Sequence, residues 1–205
     1  MKPMLKGLDI SRYNRNMKDL SDLNDMDFVI MKASEGATYR DSSVILYNSV
    51  LDDGMLKGFY HYARPENGNS AKSEASNFVT SILKYIDDKT VLALDLEDKA
   101  LNYPCLDDWA VEFARYVFSA TGKKILIYCS LSEVHRFKKC ASFGCGLWVA
   151  KWSLMKPTKK QIKPFEVFAF WQQSNKYIFS GVRCDLDYFN GTKEQYLKYS
   201  GVCEI

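Results

Sequence analysis

Short apolar runs alternate along the chain with longer stretches in which apolar residues recur every three or four positions. The short runs have the length and composition of buried strands, and several are apolar at nearly every position. Eight such runs are present, at residues 5–10, 28–33, 57–62, 91–96, 125–129, 147–150, 167–171 and 182–186. Strands that alternate with helices predict right-handed crossovers and a parallel sheet.

The longer stretches carry the apolar stripe of a surface helix, most clearly at residues 71–86 and 106–117. Capping boxes mark the start of a helix, because the two side chains satisfy backbone N–H groups that the first turn leaves free. Further helix signals are the short stripe of Val44, Tyr47 and Leu51, which ends near Gly54, and two capping boxes, Ser130 with Glu133 and Thr192 with Gln195.

Eight strands in an α/β pattern predict a closed barrel. A complete barrel of this type has about 250 residues, whereas this chain has 205. The last three predicted strands are too close in sequence for full helices to connect them. We therefore predict one domain over residues 1–205, an abbreviated α/β barrel whose C-terminal part is poor in helix.

The composition is that of an ordinary soluble protein, with 47% hydrophobic and 26% charged residues. A net charge of +3 gives no indication of nucleic-acid binding, which requires basic residues clustered on one face. No apolar run approaches the roughly 20 residues of a membrane span, and residues 1–6 lack the apolar stretch of a signal peptide. The 4 Trp, 13 Tyr and 12 Phe residues exceed the needs of a core and favour a binding cleft.

Metal and redox chemistry have few candidate residues. Two histidines, His61 and His135, leave most histidine-rich metal sites without ligands. Six cysteines are too few for a disulfide scaffold, and Cys140 and Cys145 lack a second pair that would complete a zinc site. We expect no metal, no cofactor and free thiols, with a bridge between these two cysteines as the alternative.

Polar and aromatic side chains occur where the predicted strands end. The C-terminal ends of strands carry the chemistry of α/β-barrel enzymes. Aromatic rings stack on the apolar faces of pyranoses and carboxylates bind hydroxyl groups, so this mixture suits a sugar. The residues at these ends are Asp9, Lys32, Ser34, Glu35, Tyr60, His61, Tyr62, Asp95, Glu97, Asp98, Tyr128, Lys151, Trp152, Trp171, Gln172, Asp185 and Asp187.

Asp95-Leu96-Glu97 is the sharpest local signal. Residues i and i+2 of a strand face the same side, so both carboxyl groups would share one environment. Like-charge repulsion would raise the pKa of each and keep one protonated as a general acid near neutrality. The alternative is a strand end with solvated acids. Glu35 likewise has a simpler interpretation, an ion pair with Lys32 or Arg40.

Several separate motifs in one order give the chain a family likeness. They are Gly7-Leu8-Asp9-Ile10-Ser11, Phe28-Val29-Ile30-Met31-Lys32-Ala33-Ser34-Glu35-Gly36, Gly58-Phe59-Tyr60-His61-Tyr62-Ala63-Arg64-Pro65, Leu94-Asp95-Leu96-Glu97, Leu147-Trp148-Val149-Ala150-Lys151-Trp152, Trp171-Gln172 and Asp185-Leu186-Asp187. Over residues 5–192 the chain resembles the glycoside hydrolase family 25 lysozymes, the Chalaropsis type.

The resemblance implies an N-acetylmuramidase that cleaves the β-1,4 bond between N-acetylmuramic acid and N-acetylglucosamine. It also implies a flattened barrel with fewer helices than strands. Glu97 takes the position of the general acid, Asp95 that of its partner, and Asp9 and Asp185 those of two flanking acids. Glu35 falls in a signature that binds substrate. The full set expected to bind substrate is Lys32, Glu35, Tyr60, Tyr62, Tyr128, Trp152 and Gln172.

The implied partner is the glycan strand of peptidoglycan, with the protein acting as a monomer on the cell wall, either outside the cell or after release by a phage. No separate wall-binding domain is expected. Two mechanisms stay open: Asp95 could polarise the substrate's 2-acetamido group, or an acid such as Asp9 could activate water. The alternative functions are a non-hydrolytic glycan-binding barrel and a chitinase-like hydrolase.

Overall fold

A single β-sheet curls into a barrel in the computed structural model, which describes residues 4–201. The strands of the described chain are β1 (Leu5–Ile10), β2 (Phe28–Glu35), β3 (Tyr39–Arg40), β4 (Leu56–Tyr62), β5 (Thr90–Asp95), β6 (Ile125–Ser130), β7 (Gly146–Ala150), β8 (Phe170–Phe179) and β9 (Val182–Phe189). The sheet order is β1-β9-β8-β7-β6-β5-β4-β2-β3, and β1 also pairs with β2. That pairing closes eight strands into a barrel, and the short strand β3 pairs with β2 outside it.

The α-helices of the described chain are fewer than the strands. They are α1 (Ser43–Asn48), α2 (Ala71–Ile82), α3 (Leu106–Thr121), α4 (Lys138–Phe143) and α5 (Lys193–Ser200). The crossover from β7 to β8 contains no α-helix, which agrees with the predicted helix-poor C-terminal part. The predicted closed α/β barrel is therefore confirmed. No helix within residues 4–201 has the length and hydropathy needed to cross a membrane.

Strand direction differs from the prediction at one position. β9 is antiparallel to both of its neighbours, β1 and β8, whereas the other barrel pairs are parallel. The tight turn between β8 and β9 at Ser180 and Gly181 requires this direction, because two strands joined by so few residues can pair only as a hairpin. The predicted all-parallel sheet was wrong for this strand.

The seventh predicted strand and one capping box were also misplaced. The prediction put the strand at residues 167–171, but β8 runs from Phe170 to Phe179. Thr192 and Gln195 form the predicted capping box at the start of α5. Ser130 caps no helix, because its hydroxyl bonds Ser132 and the following α4 begins only at Lys138.

Alternate residues along the strands divide the apolar core into two parts. Outward-facing side chains such as Leu8, Ile127 and Val149 pack under the helices. Inward-facing side chains fill one end of the barrel, where the Phe28 and Phe170 rings lie 5.2 Å apart. Tyr196 of α5 is fully buried among them. This apolar plug occupies the end of the barrel at which β2 and β8 begin, and the opposite end is free to hold polar groups.

Candidate active site

The polar end of the barrel forms a cleft of about 130 Å³. Its lining consists of Asp9, Ser11, Tyr13, Lys32, Tyr60, Tyr62, Asp95, Glu97, Tyr128, Trp148, Gln172 and Asp185. The parallel strands contribute residues from their C-terminal ends, as expected of an α/β barrel. The structure thus brings the four predicted acids together in one cleft, with five of the seven residues predicted to bind substrate.

Asp95 and Glu97 lie on the same side of the chain where β5 ends. Asp95 is the last residue of β5, and Glu97 follows in extended conformation with φ −142° and ψ −177°. The hydrogen bond from the Leu96 N–H to the Tyr128 carbonyl, 3.0 Å, continues the ladder with β6 past the end of β5. Both carboxyl groups therefore face the cleft, as the spacing of the two residues predicts.

Both carboxyl groups of the acid pair have a raised pKa, and burial is the largest cause for each. Burial and then the charge of Glu97 raise the pKa of Asp95 well above its usual range. Its buried Oδ1 has no hydrogen-bond partner among residues 4–201, so no hydrogen bond there compensates an ionised form, and the charge of Lys32 opposes the rise in pKa. Burial and then the charge of Asp98 raise the pKa of Glu97, against lowering by Lys32 and Arg64. The pair therefore retains a proton at higher pH than solvated carboxyl groups would.

A second group of acids comes from β1 and β9. The antiparallel register places Asp9 directly opposite Asp185. Burial and the charge of Asp187 raise the pKa of Asp9 well above its usual range. Burial and then the charge of Asp9 raise the pKa of Asp185 to about 8. Close carboxyl groups in a buried site cannot all ionise, so this group also holds protons near neutrality.

Asp187 is fully buried below the cleft; it stands at a predicted strand end but was not expected to have a catalytic or binding role. The indole N–H of Trp148 donates to its Oδ1 at 2.7 Å. Burial raises the pKa of Asp187 to about 7, against lowering by hydrogen bonds from Asp9 and Trp148. The i, i+2 spacing of Asp185 and Asp187 repeats that of Asp95 and Glu97 and could have identified Asp187.

Gln172 holds three side chains of the cleft in place. Its Nε2 donates to Oδ2 of Asp9 at 2.8 Å. Its Oε1 accepts from the Tyr128 hydroxyl at 3.0 Å and from the Trp152 indole N–H at 2.9 Å. Because two donors meet Oε1, the amide orientation is fixed, and Trp152 is tied to the cleft although its side chain is 62% exposed.

Glu35 does not line the cleft but supports a residue that does. Its carboxylate accepts from Lys32 Nζ at 2.7 Å and from Arg64 Nε at 2.7 Å, not from Arg40. Partial burial raises the pKa of Glu35, but the hydrogen bonds from Lys32 and Arg64 outweigh it and the net shift is downward. Glu35 is thus ionised near neutrality and has no proton to donate. Both cations also lie over the Tyr62 ring, at 4.5 and 4.4 Å from its centroid.

Three residues that line the cleft were absent from the expected set: Ser11, Tyr13 and Trp148. Ser11 and Tyr13 lie in the turn after β1, where Ser11 caps a short 3₁₀ helix over Arg12–Asn14. Tyr13 is 74% exposed at the rim and available to a ligand. Trp148 belongs to an apolar motif, and its sequence gave no signal that distinguishes it from a core residue.

This arrangement suits acid-catalysed cleavage of a sugar chain. Protonated carboxyl groups can donate to a leaving oxygen, and neighbouring ones can stabilise positive charge at an anomeric carbon. The tyrosine and tryptophan rings supply apolar faces and hydroxyl donors. Within residues 4–201, no group of three or more His, Cys, Asp or Glu side chains is arranged to hold a metal ion.

Comparisons with known proteins agree with this geometry. Residues 8–182 match the family model described as glycosyl hydrolases family 25. The chain is 27% identical to lysozyme M1 of Streptomyces globisporus, an alignment that covers 94% of this chain and 70% of that protein. Its fold is similar to that of the bacterial lysozyme from Streptomyces coelicolor, with a TM-score of 0.82, 25% identity and 98% of each chain covered. It is also similar to the muramidase from Trichobolus zukalii, with a TM-score of 0.77, 25% identity, and 96% and 98% covered.

Proposed function

The chain belongs to family 25 of the glycosyl hydrolases and is a glycoside hydrolase, and on that premise we propose that it is a peptidoglycan N-acetylmuramidase. The bond cleaved is the β-1,4 linkage between N-acetylmuramic acid and N-acetylglucosamine. The observation that carries the proposal is the cleft in which Asp95 and Glu97 meet Asp9 and Asp185, all with raised pKa values. The lysozyme and muramidase relatives support the choice of substrate.

Glu97 is the proposed general acid. It is less buried than Asp95, so a glycosidic oxygen can reach it. Burial and Asp98 raise its pKa, which keeps the proton available as the pH approaches neutrality. In the first step Glu97 gives this proton to the glycosidic oxygen, the bond from that oxygen to C1 breaks, and an oxocarbenium-like centre develops at C1.

Asp95 is the proposed partner in the second step. Its unpartnered Oδ1 can orient the substrate's 2-acetamido group so that the carbonyl oxygen attacks C1 from the opposite face. Water then opens the cyclic intermediate and the anomeric configuration is retained. The alternative is that Asp9 activates a water molecule directly, which inverts C1. Proton NMR of the first-formed anomer separates the two: a β product supports the assisted route, and an α product excludes it.

Substrate binding is proposed for the other cleft residues. Tyr60, Tyr62 and Tyr128 offer rings and hydroxyl groups, and Trp152 offers an exposed indole face at the cleft edge. Lys32 faces the cleft and can bind a carboxylate or hydroxyl oxygen of the sugar, with Glu35 and Arg64 holding it in place. Gln172 keeps Asp9, Tyr128 and Trp152 in one arrangement.

The proposed setting is the cell wall, where the protein would act as a monomer whose single catalytic domain contains the whole cleft. The closed barrel supports this, since Asp9 on β1 and Asp185 on β9 come from the same chain. The relatives named lysozyme and muramidase support a wall substrate.

Clearing of a suspension of bacterial walls, compared with turnover of chitin oligomers, tests the proposal. We expect clearing by the native chain and little turnover of chitin. Glu97→Gln cannot deliver a proton, so clearing should fall at least about 100-fold. Glu112→Gln, which changes an exposed carboxylate on α3, is the matched control and should retain activity. Turnover of chitin alone would indicate a chitinase, and binding without turnover by the native chain would indicate a glycan-binding barrel.

A further inference from the structure

The crossover from β7 to β8, residues 151–169, is an ordered segment without an α-helix. Three buried side chains, Ile162, Phe165 and Phe168, fix it to the outer core of the barrel. A turn at Thr158 adds hydrogen bonds from its N–H to Gln161 Oε1, 3.0 Å, and from the Gln161 N–H to its carbonyl, 3.0 Å. The polar residues between these anchors are therefore held on the surface in a fixed arrangement.

The net positive charge of the protein arises on this crossover. It contains five lysines and one glutamate, a net charge of +4, so the other 186 residues together carry −1. The lysines are Lys151, Lys156, Lys159, Lys160 and Lys163. The net charge of +3 is therefore the sum of a strongly basic flank, residues 151–169, and a nearly neutral rest of the chain.

Most of this charge has no internal partner. Lys163 forms an ion pair with Glu166. The other cation with a hydrogen bond is Lys151, whose Nζ lies 3.4 Å from the Lys156 carbonyl. Lys156, Lys159 and Lys160 are exposed and form no ion pair with any acidic residue of the described chain. The charge of Lys159 also lowers the pKa of Glu166. Three neighbouring exposed ammonium groups on a fixed segment, against one carboxylate, favour an external anion.

An apolar groove of about 280 Å³ runs beside these lysines. Lys156 and Lys159 stand at its edge, and Ile162, Val167 and Phe168 contribute apolar surface to it. Glu166, which is paired with Lys163, also lies in the lining. The Val167 side chain is 64% exposed. At the cleft end the same crossover begins next to Trp152, which is hydrogen-bonded to Gln172. The basic flank thus extends from the cleft edge along the side of the barrel.

We propose that this flank binds a linear polymer of phosphodiester-linked polyols, the class of anionic polymer that bacterial walls attach to their glycan strands. All five cations are lysines, which bind phosphate oxygens as point charges. The lysines would bind its phosphates, and the polyol units that link them would lie along the groove. This proposal rests on the proposed function, which places a glycan strand in the cleft. A polymer attached to that strand would extend out of the cleft along this flank.

Binding of the full-length Glu97→Gln protein to purified walls tests the proposal, because this variant leaves the walls intact during the measurement. The substitutions Lys156→Gln, Lys159→Gln and Lys160→Gln together should weaken binding at least about tenfold at low salt, and less as salt is raised. Lys72→Gln, Lys138→Gln and Lys198→Gln together remove the same charge from exposed positions on α2, α4 and α5 and should change binding less than about twofold.

Walls stripped of phosphodiester polymers by hydrofluoric acid should bind both triple variants equally, and a soluble poly(glycerol phosphate) should bind only the control. Lysine-dependent binding that persists on stripped walls would mean that peptide carboxylates are the ligand and would overturn the proposal. So would equally tight lysine-dependent binding to phosphatidylglycerol vesicles. None of these binding measurements requires turnover. A failure of the proposed hydrolysis would therefore be seen separately, in the clearing assay with the native chain.

Discussion

Asp9 and Asp185 face each other as register partners across the antiparallel pair of β1 and β9. Like charges at directly opposed positions of a sheet are destabilising. The protein accommodates them by holding protons, since burial raises the pKa of both groups, with the charge of Asp187 adding to it at Asp9 and that of Asp9 at Asp185. The cleft is therefore assembled at a cost in stability that depends on pH.

Replacing Asp185 with Asn should stabilise the fold at alkaline pH. Its carboxyl has a pKa of about 8 in the folded protein and about 4 when unfolded. Between these values the folded state binds a proton that the unfolded state lacks, so stability falls as pH rises across this window. Asp185→Asn should gain about 1 kcal/mol or more over the native chain at pH 8 and little near pH 4.

Urea unfolding at both pH values measures this difference. Asp53→Asn, which changes an exposed aspartate on a surface turn, is the control for loss of an acid without burial. If Asp185→Asn and Asp53→Asn give the same change in unfolding free energy at pH 8, the assigned cause of the pH dependence is wrong.

Asp98 should set the alkaline limit of activity through Glu97. After burial, its charge is the largest contribution that raises the pKa of Glu97. In Asp98→Asn the pKa of Glu97 falls, so the alkaline limb of the pH–rate profile should move to lower pH. Asn suits the position, because it tolerates the φ of +50° and still accepts the hydrogen bond from the Tyr62 hydroxyl, 2.7 Å in the native protein. A limb that stays in place would count against Glu97 as the acid.

Glu35→Gln should mainly weaken substrate binding. The substitution keeps the shape of the side chain but removes the charge that holds Lys32 and Arg64. We expect a higher KM on soluble glycan and a kcat within about tenfold of the native value, against a loss of at least about 100-fold in kcat for Glu97→Gln. The reverse order, with Glu35→Gln inactive and Glu97→Gln active, would show that the general acid has been misassigned.

The cysteines should remain reduced under ordinary conditions. Cys129, Cys140, Cys145 and Cys184 are buried thiols, and Cys203 lies outside the described residues. The contact with Cys145, and then burial, raise the pKa of Cys140 and keep it from forming the reactive thiolate. Intact mass with and without reductant should therefore agree, whereas a bridge would add about 2 Da on reduction.

The location of the acids could be predicted because strand ends and i, i+2 spacing are local properties of the sequence. Asp9, Asp95, Glu97 and Asp185 were all identified in this way, and they share one cleft. Their catalytic roles stay predictions. The direction of β9 could not be predicted from hydrophobicity alone, since an apolar pattern is the same whichever way a strand runs.

Long-range contacts account for the remaining differences. Arg64 follows β4, and its ion pair with Glu35 depends on the pairing of β4 with β2 rather than on spacing. The contribution of burial and of Asp98 to the Glu97 pKa shift also needed the structure, because the sequence indicated only the repulsion between Asp95 and Glu97. The start of β8 was misplaced because Phe168 looks like a strand residue yet packs as an anchor of the crossover.

Closure of the barrel through β1 also bears on how the protein is made. β1 pairs with β2 nearby in sequence and with β9 about 180 positions later. Closing the barrel therefore requires contacts between residues that are very far apart in the sequence. A nascent chain on the ribosome can pair β1 with β2 early, but Asp9 has no opposite partner until β9 has emerged. Lytic activity should consequently appear only late in synthesis, because an incomplete chain lacks one side of the cleft.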